Sequence, residues 1–312
     1  MATGLDLTAL SDFNNEVAGE LIAKMVYGGS TMEYITIKDG IKFQEPINLM
    51  EVDLVLQNGT CISTPSGSLA FSQRNITVCP RTSFDGICLK DMDRTYLGIA
   101  ALERGSYNET FALATNYSEL LVNQFQKAND QYLWQAVSGS AGGGSGVDGT
   151  CTGDGLKLII SGSTAGVQVT GSADATLTNM DSMIEKLSSD VADRDDLTFF
   201  MSVSKFRQFV SNIRTANSFY FDPNAISNRG GILEMAYPFQ NIKVVGTVGL
   251  QGSNRIVLGP AKQIVAGTDL MSDFSEFQLW YDINTDQLKH RISTKLGVNV
   301  AYPEFWVSND QA

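Results

Sequence analysis

Histidine is almost missing from this chain: His290 is the only one in 312 residues. A Ser-His-Asp or Cys-His nucleophile system would have to be built on that single imidazole, and a His-rich metal centre cannot be built at all. Most hydrolase chemistry falls with it. Cysteine is scarce too. Cys61, Cys79 and Cys88 lie close together and Cys151 stands apart in a glycine-rich tract, with no CxxC pair to announce a tetrahedral zinc site. They read as small buried apolar side chains, with a bridge between Cys79 and Cys88 as the lesser alternative.

Basic charge is also short. The 22 Lys and Arg residues against 34 Asp and Glu leave a net charge of -12, which repels phosphate and argues against a surface that coats or slides along nucleic acid. No run approaches the ~20 consecutive apolar residues of a bilayer-crossing helix. Residues 1–12 lack the basic and apolar regions of a secretion signal. The expectation is a soluble chain made in the cytoplasm, with no membrane contact, no cofactor, no metal and no catalytic residue.

What is present is an ordinary globular composition, 43% apolar and 18% charged, long enough for about two domains. Ser11 can cap a helix whose apolar positions Phe13, Val17, Leu21 and Met25 recur every fourth residue until Gly28-Gly29. One narrow stripe makes it an amphipathic arm that must lie on some surface. Residues 34–38 are rich in β-branched side chains, Asp39-Gly40 suits a two-residue turn, and residues 41–43 lead back, which predicts a hairpin. A second hairpin is predicted from residues 50–57 and 60–63 around Asn58-Gly59. Isolated two-stranded ribbons are marginal in water, so this region needs a partner surface.

Residues 109–137 contain neither proline nor glycine, and Tyr117, Leu121, Phe125, Ala128 and Tyr132 share a helical face. Such a helix would reach roughly 40 Å and serve as a spine for smaller elements. Residues 138–155 (SGSAGGGSGVDGTCTGDG) form a connector. It lacks the Gly-Lys-Ser/Thr ending of a phosphate-binding loop. A helix over 178–191, with Thr178 and Asp181 as a capping box, precedes a buried strand over 197–201 and a helix through Phe206, Phe209, Val210 and Ile213. This strand and helix alternation makes an α+β domain. Short strands follow at 242–245, 255–258 and 263–266, then strands at 276–283, 287–293 and 296–300.

The remaining chemistry-bearing residues favour bland readings. Asp190, Asp193, Asp195 and Asp196 lack EF-hand spacing and suit a solvated helix end. Asp91 and Asp93 have no acid-base partner, and Arg94 and Arg104 balance them. Four Asn-x-Ser/Thr triplets, at Asn58, Asn75, Asn108 and Asn116, carry little weight without a secretion signal. His290, between Lys289 and Arg291, reads as a surface or edge residue. Trp134, Trp280 and Trp306 read as core or interface anchors.

The order of parts resembles the major capsid protein of tailed double-stranded DNA phages, the Hong Kong 97-type fold: helical arm, extended hairpin, long spine helix, axial domain, closing β ribbon. Local wording is similar as well. It includes Thr198-Phe199-Phe200-Met201-Ser202-Val203-Ser204-Lys205-Phe206-Arg207, Ile256-Val257-Leu258-Gly259-Pro260 and Val265-Ala266-Gly267-Thr268-Asp269-Leu270. Phe277 to Tyr281, Lys295-Leu296-Gly297-Val298 and Ala301-Tyr302-Pro303 complete the closing pattern.

The resemblance implies an N-terminal arm (1–30), an extended hairpin loop or E-loop (31–90), a first part of a peripheral domain with the spine helix and connector (91–155), an axial domain (156–265) and a closing peripheral ribbon (266–312). It implies a non-enzymatic subunit that self-assembles through hexamers and pentamers into an icosahedral virion shell. That shell would be built in the host cytoplasm and enclose DNA without reading its sequence. Scaffolding, portal and decoration proteins are the implied partners. Contacts between subunits are expected at Phe13, Val17, Leu21, Tyr34, Ile37, Ile41, Phe43, Leu54 and Leu56. The lysine-to-asparagine crosslink of some relatives has no recognisable trio here; Lys38, Lys42 and Asn299 fit only by region. Two alternatives stand beside this reading: an encapsulin-like nanocompartment shell, and a secreted carbohydrate-binding or adhesion protein, which the sequons favour and the long helix disfavours.

Overall fold

In the computed structural model, the described residues are 21, 24–25, 28–57, 66–88, 109–137 (backbone alone for 109–116), 153–216, 226–229 (backbone alone for 228–229), 232–238, 240–269, 277–285 and 287–311. Phe13, Val17, Cys61, Cys151, Asp91, Asp93, Arg94 and Arg104 fall outside them, as do most of the predicted arm and residues 138–152 of the connector.

A 27-residue helix, α1 (Glu109–Gln135), runs where the proline- and glycine-free stretch predicts it. Two sheets flank it. The first has seven strands in the order β5 (Gln168–Val169), β14 (Val307–Ser308), β10 (Ile256–Pro260), β6 (Leu197–Ser202), β9 (Lys243–Thr247), β8 (Ile232–Ala236) and β7 (Ile226–Arg229). β6 reads LTFFMS and is buried at every position because both faces are covered. Phe199 and Met201 pack with Phe206, Phe209 and Ile213 of α4 (Val203–Ala216), while Phe200 joins Trp134 of α1 in a second cluster. The ring centroids of Trp134 and Phe200 are 5.3 Å apart.

α3 (Leu177–Glu185) packs beside α4, while α2 (Leu156–Ile159) lies against α1 and residues 287–300 of the second sheet. The predicted cap of α3 is corrected. Thr176 is the cap, its hydroxyl accepting from the Asn179 amide, and the helix ends at Glu185. The serines that follow divert it: the Ser188 side chain accepts the Asp190 amide and opens a turn instead of another helical one.

The second sheet has the order β1 (Thr36–Lys38), β11 (Ile264–Thr268), β13 (Gln287–Val300), β12 (Phe277–Asp282), with β4 (Cys79–Cys88) pairing β13 as well. β13 runs unbroken through 14 residues where sequence reading gives two strands. Its 287–292 half pairs β12 and its 296–300 half pairs β11, while β4 runs along the opposite edge. Gly297 is obligatory: a Cβ there would sit 2.0 Å from the Thr77 carbonyl oxygen.

The first predicted hairpin is not formed. β1 pairs in parallel with β11, so Asp39-Gly40, with Gly40 at φ +83, turns the chain away without returning it antiparallel. The second hairpin exists but is longer. β2 (Gln44–Asp53) pairs β3 (Ser68–Thr77) over ten residues, and residues 58–65, with Asn58-Gly59, lie outside the described residues.

The C-terminus also departs from expectation. Instead of closing the second sheet, β14 inserts between β5 and β10 of the first. Fully buried Asn309 locks it. Its side-chain oxygen accepts the Ile256 amide at 2.8 Å, and its amide donates to the Ser172 and Asn254 carbonyls, each at 2.9 Å. Trp306 is equally buried over Gly259, where a Cβ would come within 2.4 Å of the indole.

Candidate assembly surface

Among the described residues, the distal part of the ribbon β2–β3 is exposed along most of its length. Opposed residues of an antiparallel pair share a face. One face carries Ile47, Leu49, Glu51 and Asp53 opposite Arg74, Ser72, Ala70 and Ser68, with Ile76 behind them. Near the base this face is buried: Ile76 packs with Ile41, Val78 and Val265, and Ile47 rests against them. Asn299 donates to the Asn75 carbonyl at 2.8 Å, and the Tyr302 hydroxyl meets the Met50 backbone at 3.2–3.3 Å. Up to about Met50 the ribbon therefore rests on its own domain.

Beyond that point the other face is open. Met50 opposes Phe71 and Val52 opposes Leu69, and these four apolar side chains are all exposed, Phe71 by 73%. Leu54 and Leu56 continue the exposure beyond the strand, and Phe43 is exposed at the base. A contiguous apolar strip of this kind is uncommon on a monomeric protein and marks a surface that something covers. Its charge is one-sided: residues 44–57 hold Glu45, Glu51 and Asp53 and no base.

The contact residues inferred from sequence divide accordingly. Phe43, Leu54 and Leu56 are exposed and available. Leu21 and Ile41 are not. Leu21 is buried with Met25 against Val122, Phe277, Leu279, Leu288 and Ile292, and Ile41 lies in the ribbon-base cluster. Tyr34 and Ile37 pack against the core around Trp134, and the Tyr34 hydroxyl donates to Glu234 at 2.6 Å. Their apolar character is spent within the chain. Met50, Val52, Leu69 and Phe71 are exposed as well and are not among the residues inferred from sequence. The apolar-acidic alternation Met50-Glu51-Val52-Asp53 was the available signal, but alternation identifies two faces and not which one is covered.

The arm exit, α1 and the seven-stranded sheet meet at a polar joint. Asp130 of α1, fully buried, accepts from the Thr31 amide (3.0 Å), the Gly249 amide (2.7 Å) and the Ser30 and Thr247 hydroxyls (each 2.6 Å). The Trp134 indole donates to the Thr31 hydroxyl at 2.7 Å. On the next face Arg81 of β4 lies 4.3 Å over the Tyr132 ring and donates to Asn129 at 2.7 Å. Desolvation lowers the guanidinium pKa.

The second sheet has two unlike faces. Toward α1 it presents Phe277, Leu279, Leu288, His290 and Ile292, packed against Tyr117, Leu121, Val122 and Phe125. His290 is thus corrected from a surface residue to one only 3% exposed. Its Nδ1 shares a hydrogen bond of 2.7 Å with the Tyr117 hydroxyl and its Nε2 one of 3.3 Å with Ser83. The helix covers this face, so the strand's position between two charged neighbours says nothing about its depth. The opposite face carries Gln278, Trp280, Lys289, Arg291 and Phe84, and is open to solvent at Phe84, Gln278 and Arg291.

The cysteines are corrected too. Cys79 and Cys88 are the first and last residues of the ten-residue β4, about 30 Å apart, and Cys88 is free. Cys79 is disulfide-bonded, and the other cysteines, Cys61 and Cys151, fall outside the described residues. Among the described residues no cluster of His, Cys, Asp and Glu could hold a metal, and no helix is long and apolar enough to cross a membrane.

No protein-family model and no curated protein matches the sequence. Solved structures do. The satellite phage P4 procapsid subunit, solved with its size determination (Sid) protein, is 11% identical and superposes with a TM-score of 0.58 over 97% of both chains. The capsid of an empty GTA particle is 11% identical, with a TM-score of 0.54 over 90% of this chain and 89% of that one. A Mycobacterium phage Cain structure is 11% identical at 0.52, over 88% and 84%. The chain therefore has the mixed α+β fold of phage major capsid subunits, as its order of elements suggested.

Proposed function

We propose that this protein is a major capsid protein: a structural, non-catalytic subunit that self-assembles through hexamers and pentamers into an icosahedral phage shell around double-stranded DNA. The observation that carries the reading is the ribbon, whose distal apolar face has no cover among the described residues. A subunit built this way completes its burial on sister copies, and weak contacts repeated around a closed shell add up. The fold shared with phage procapsid and capsid subunits supports it over nearly the full length of the chain. In this reading β2–β3 is the E-loop, α1 the spine, the seven-stranded sheet the axial domain and the five-stranded sheet the peripheral domain. Scaffolding, portal and decoration proteins are partners of the virion so formed.

Electron microscopy of the purified chain tests it. Shells, capsomers or tubes are expected at high concentration. Discrete monomers under all assembly conditions would overturn the reading. Nucleic acid inside native particles is expected; an enzyme cargo would point to a nanocompartment.

A further inference from the structure

A chain with a net charge of -12 repels DNA as a whole, so a surface that touches an enclosed genome has to be local and clear of acid. α4 is such a surface. α1 and α3 each hold more acid than base, whereas the 14 residues of α4 hold Lys205, Arg207 and Arg214 and no Asp or Glu. The helix lays Phe206, Phe209 and Ile213 on the face of the seven-stranded sheet turned away from α1. Its opposite stripe, Arg207, Ser211 and Arg214, is exposed. Steps of four and three residues stack these side chains on one side of the helix. Lys205 is drawn aside, bonded to Gln208 at 3.2 Å and lying 3.9 Å from Asp174. Among the described residues neither Arg207 nor Arg214 has an ion-pair partner. Both guanidinium groups keep their donors for something outside the subunit.

We infer that the exposed stripe of α4 is a contact for the phosphate backbone of duplex DNA held inside the shell. The inference rests on the capsid reading and names a surface of the subunit that meets the genome.

Two features favour DNA over a protein partner. No large apolar side chain of α4 is exposed, so the stripe lacks the dry centre around which protein interfaces form. Arginine beside a hydroxyl is instead the donor set that meets phosphate oxygens, in contacts that stay wet and carry no sequence information. Spacing agrees. Arg207 and Arg214 are two turns apart, about 10.5 Å, against one charge per ~3.4 Å of axis on each DNA strand. Both can therefore reach one duplex. Two such contacts are weak in a single copy, and repetition around a closed shell adds them up.

The test replaces Ser211 with the photocrosslinker p-benzoylphenylalanine in DNA-filled particles. The same probe at Asp193, exposed in the acidic turn before β6, is the control. Irradiation should join position 211 to DNA and leave position 193 unjoined. In shells that also carry Arg207→Gln and Arg214→Gln the yield at 211 should fall about fivefold, whereas Arg207→Lys with Arg214→Lys should keep most of it, because a phosphate contact needs the charge. Circular dichroism of the unassembled variants checks that they fold. Four results in DNA-filled particles would overturn the inference and leave the shell reading intact: no DNA joined to 211, crosslinks from 211 to another copy instead, equal DNA yields from 211 and 193, or a yield that the glutamine pair does not change. Particles without nucleic acid, or no particles at all, would remove both readings.

Discussion

At the residue scale, two buried side chains decide how the parts of the subunit hold together. Asp130 gathers four donors from two segments of chain, 30–31 and 247–249, and removing it strands the Thr31 and Gly249 amides away from water. Asp130→Ala should therefore destabilise the unassembled subunit by about 3 kcal/mol or more, read from urea unfolding midpoints. His290 makes the second case. Burial lowers its pKa below the ordinary value of 6.5, only partly offset by Asp85, and the same burial, aided by Asp85, pushes Tyr117 up to about 12. The neutral imidazole is thus the folded form's preference. Its contribution is complete above the unfolded pKa and is lost as pH falls through the lower folded value. The melting temperature should drop between pH 7 and pH 5 more steeply in the wild type than in His290→Gln, and parallel slopes would refute the assignment. Lys289, Arg291 and Lys295 cannot tune this group directly, because they alternate onto the other face of β13.

At the element scale, the ribbon and the C-terminal strand behave in opposite ways. The distal ribbon adds little to its own subunit, so replacing Met50, Val52, Leu69 and Phe71 together by Thr should leave the melting temperature nearly unchanged and abolish particles in electron micrographs. β14 contributes to the subunit itself. Asn309→Ala leaves the Ile256 amide without its buried acceptor and removes two further bonds, for an expected cost of about 2–4 kcal/mol in denaturant unfolding. Deleting residues 306–312 should yield a chain without near-ultraviolet dichroism. These elements differ in legibility for a physical reason. α1 and β6 announce themselves because each is set by local pattern: an uninterrupted amphipathic helix, and an apolar run buried on both sides. β1 and β14 are a few residues long, and their partners, β11 and β5 with β10, are distant in sequence. Non-local pairing chose parallel β1–β11 over the hairpin that Asp39-Gly40 suggested.

For the whole molecule, charge opposes assembly as burial favours it. In the proposed shell each copy would bring a net charge of -12 to its neighbours. Raising salt from 50 to 500 mM shortens the screening length from about 14 Å to about 4 Å and should lower the critical assembly concentration, as light scattering would record. A net rise in critical concentration with salt would mean that ion pairs between copies, not apolar burial, dominate the shell's cohesion.

The sequence by itself determined how the largest elements run, because local periodicity is a property of neighbouring residues. Only the tertiary structure decided that Leu21 and Ile41 are spent inside while Phe71 and Phe84 are left outside. A strand's alternation defines two faces, and which of them stays open depends on what the rest of the chain lays against it.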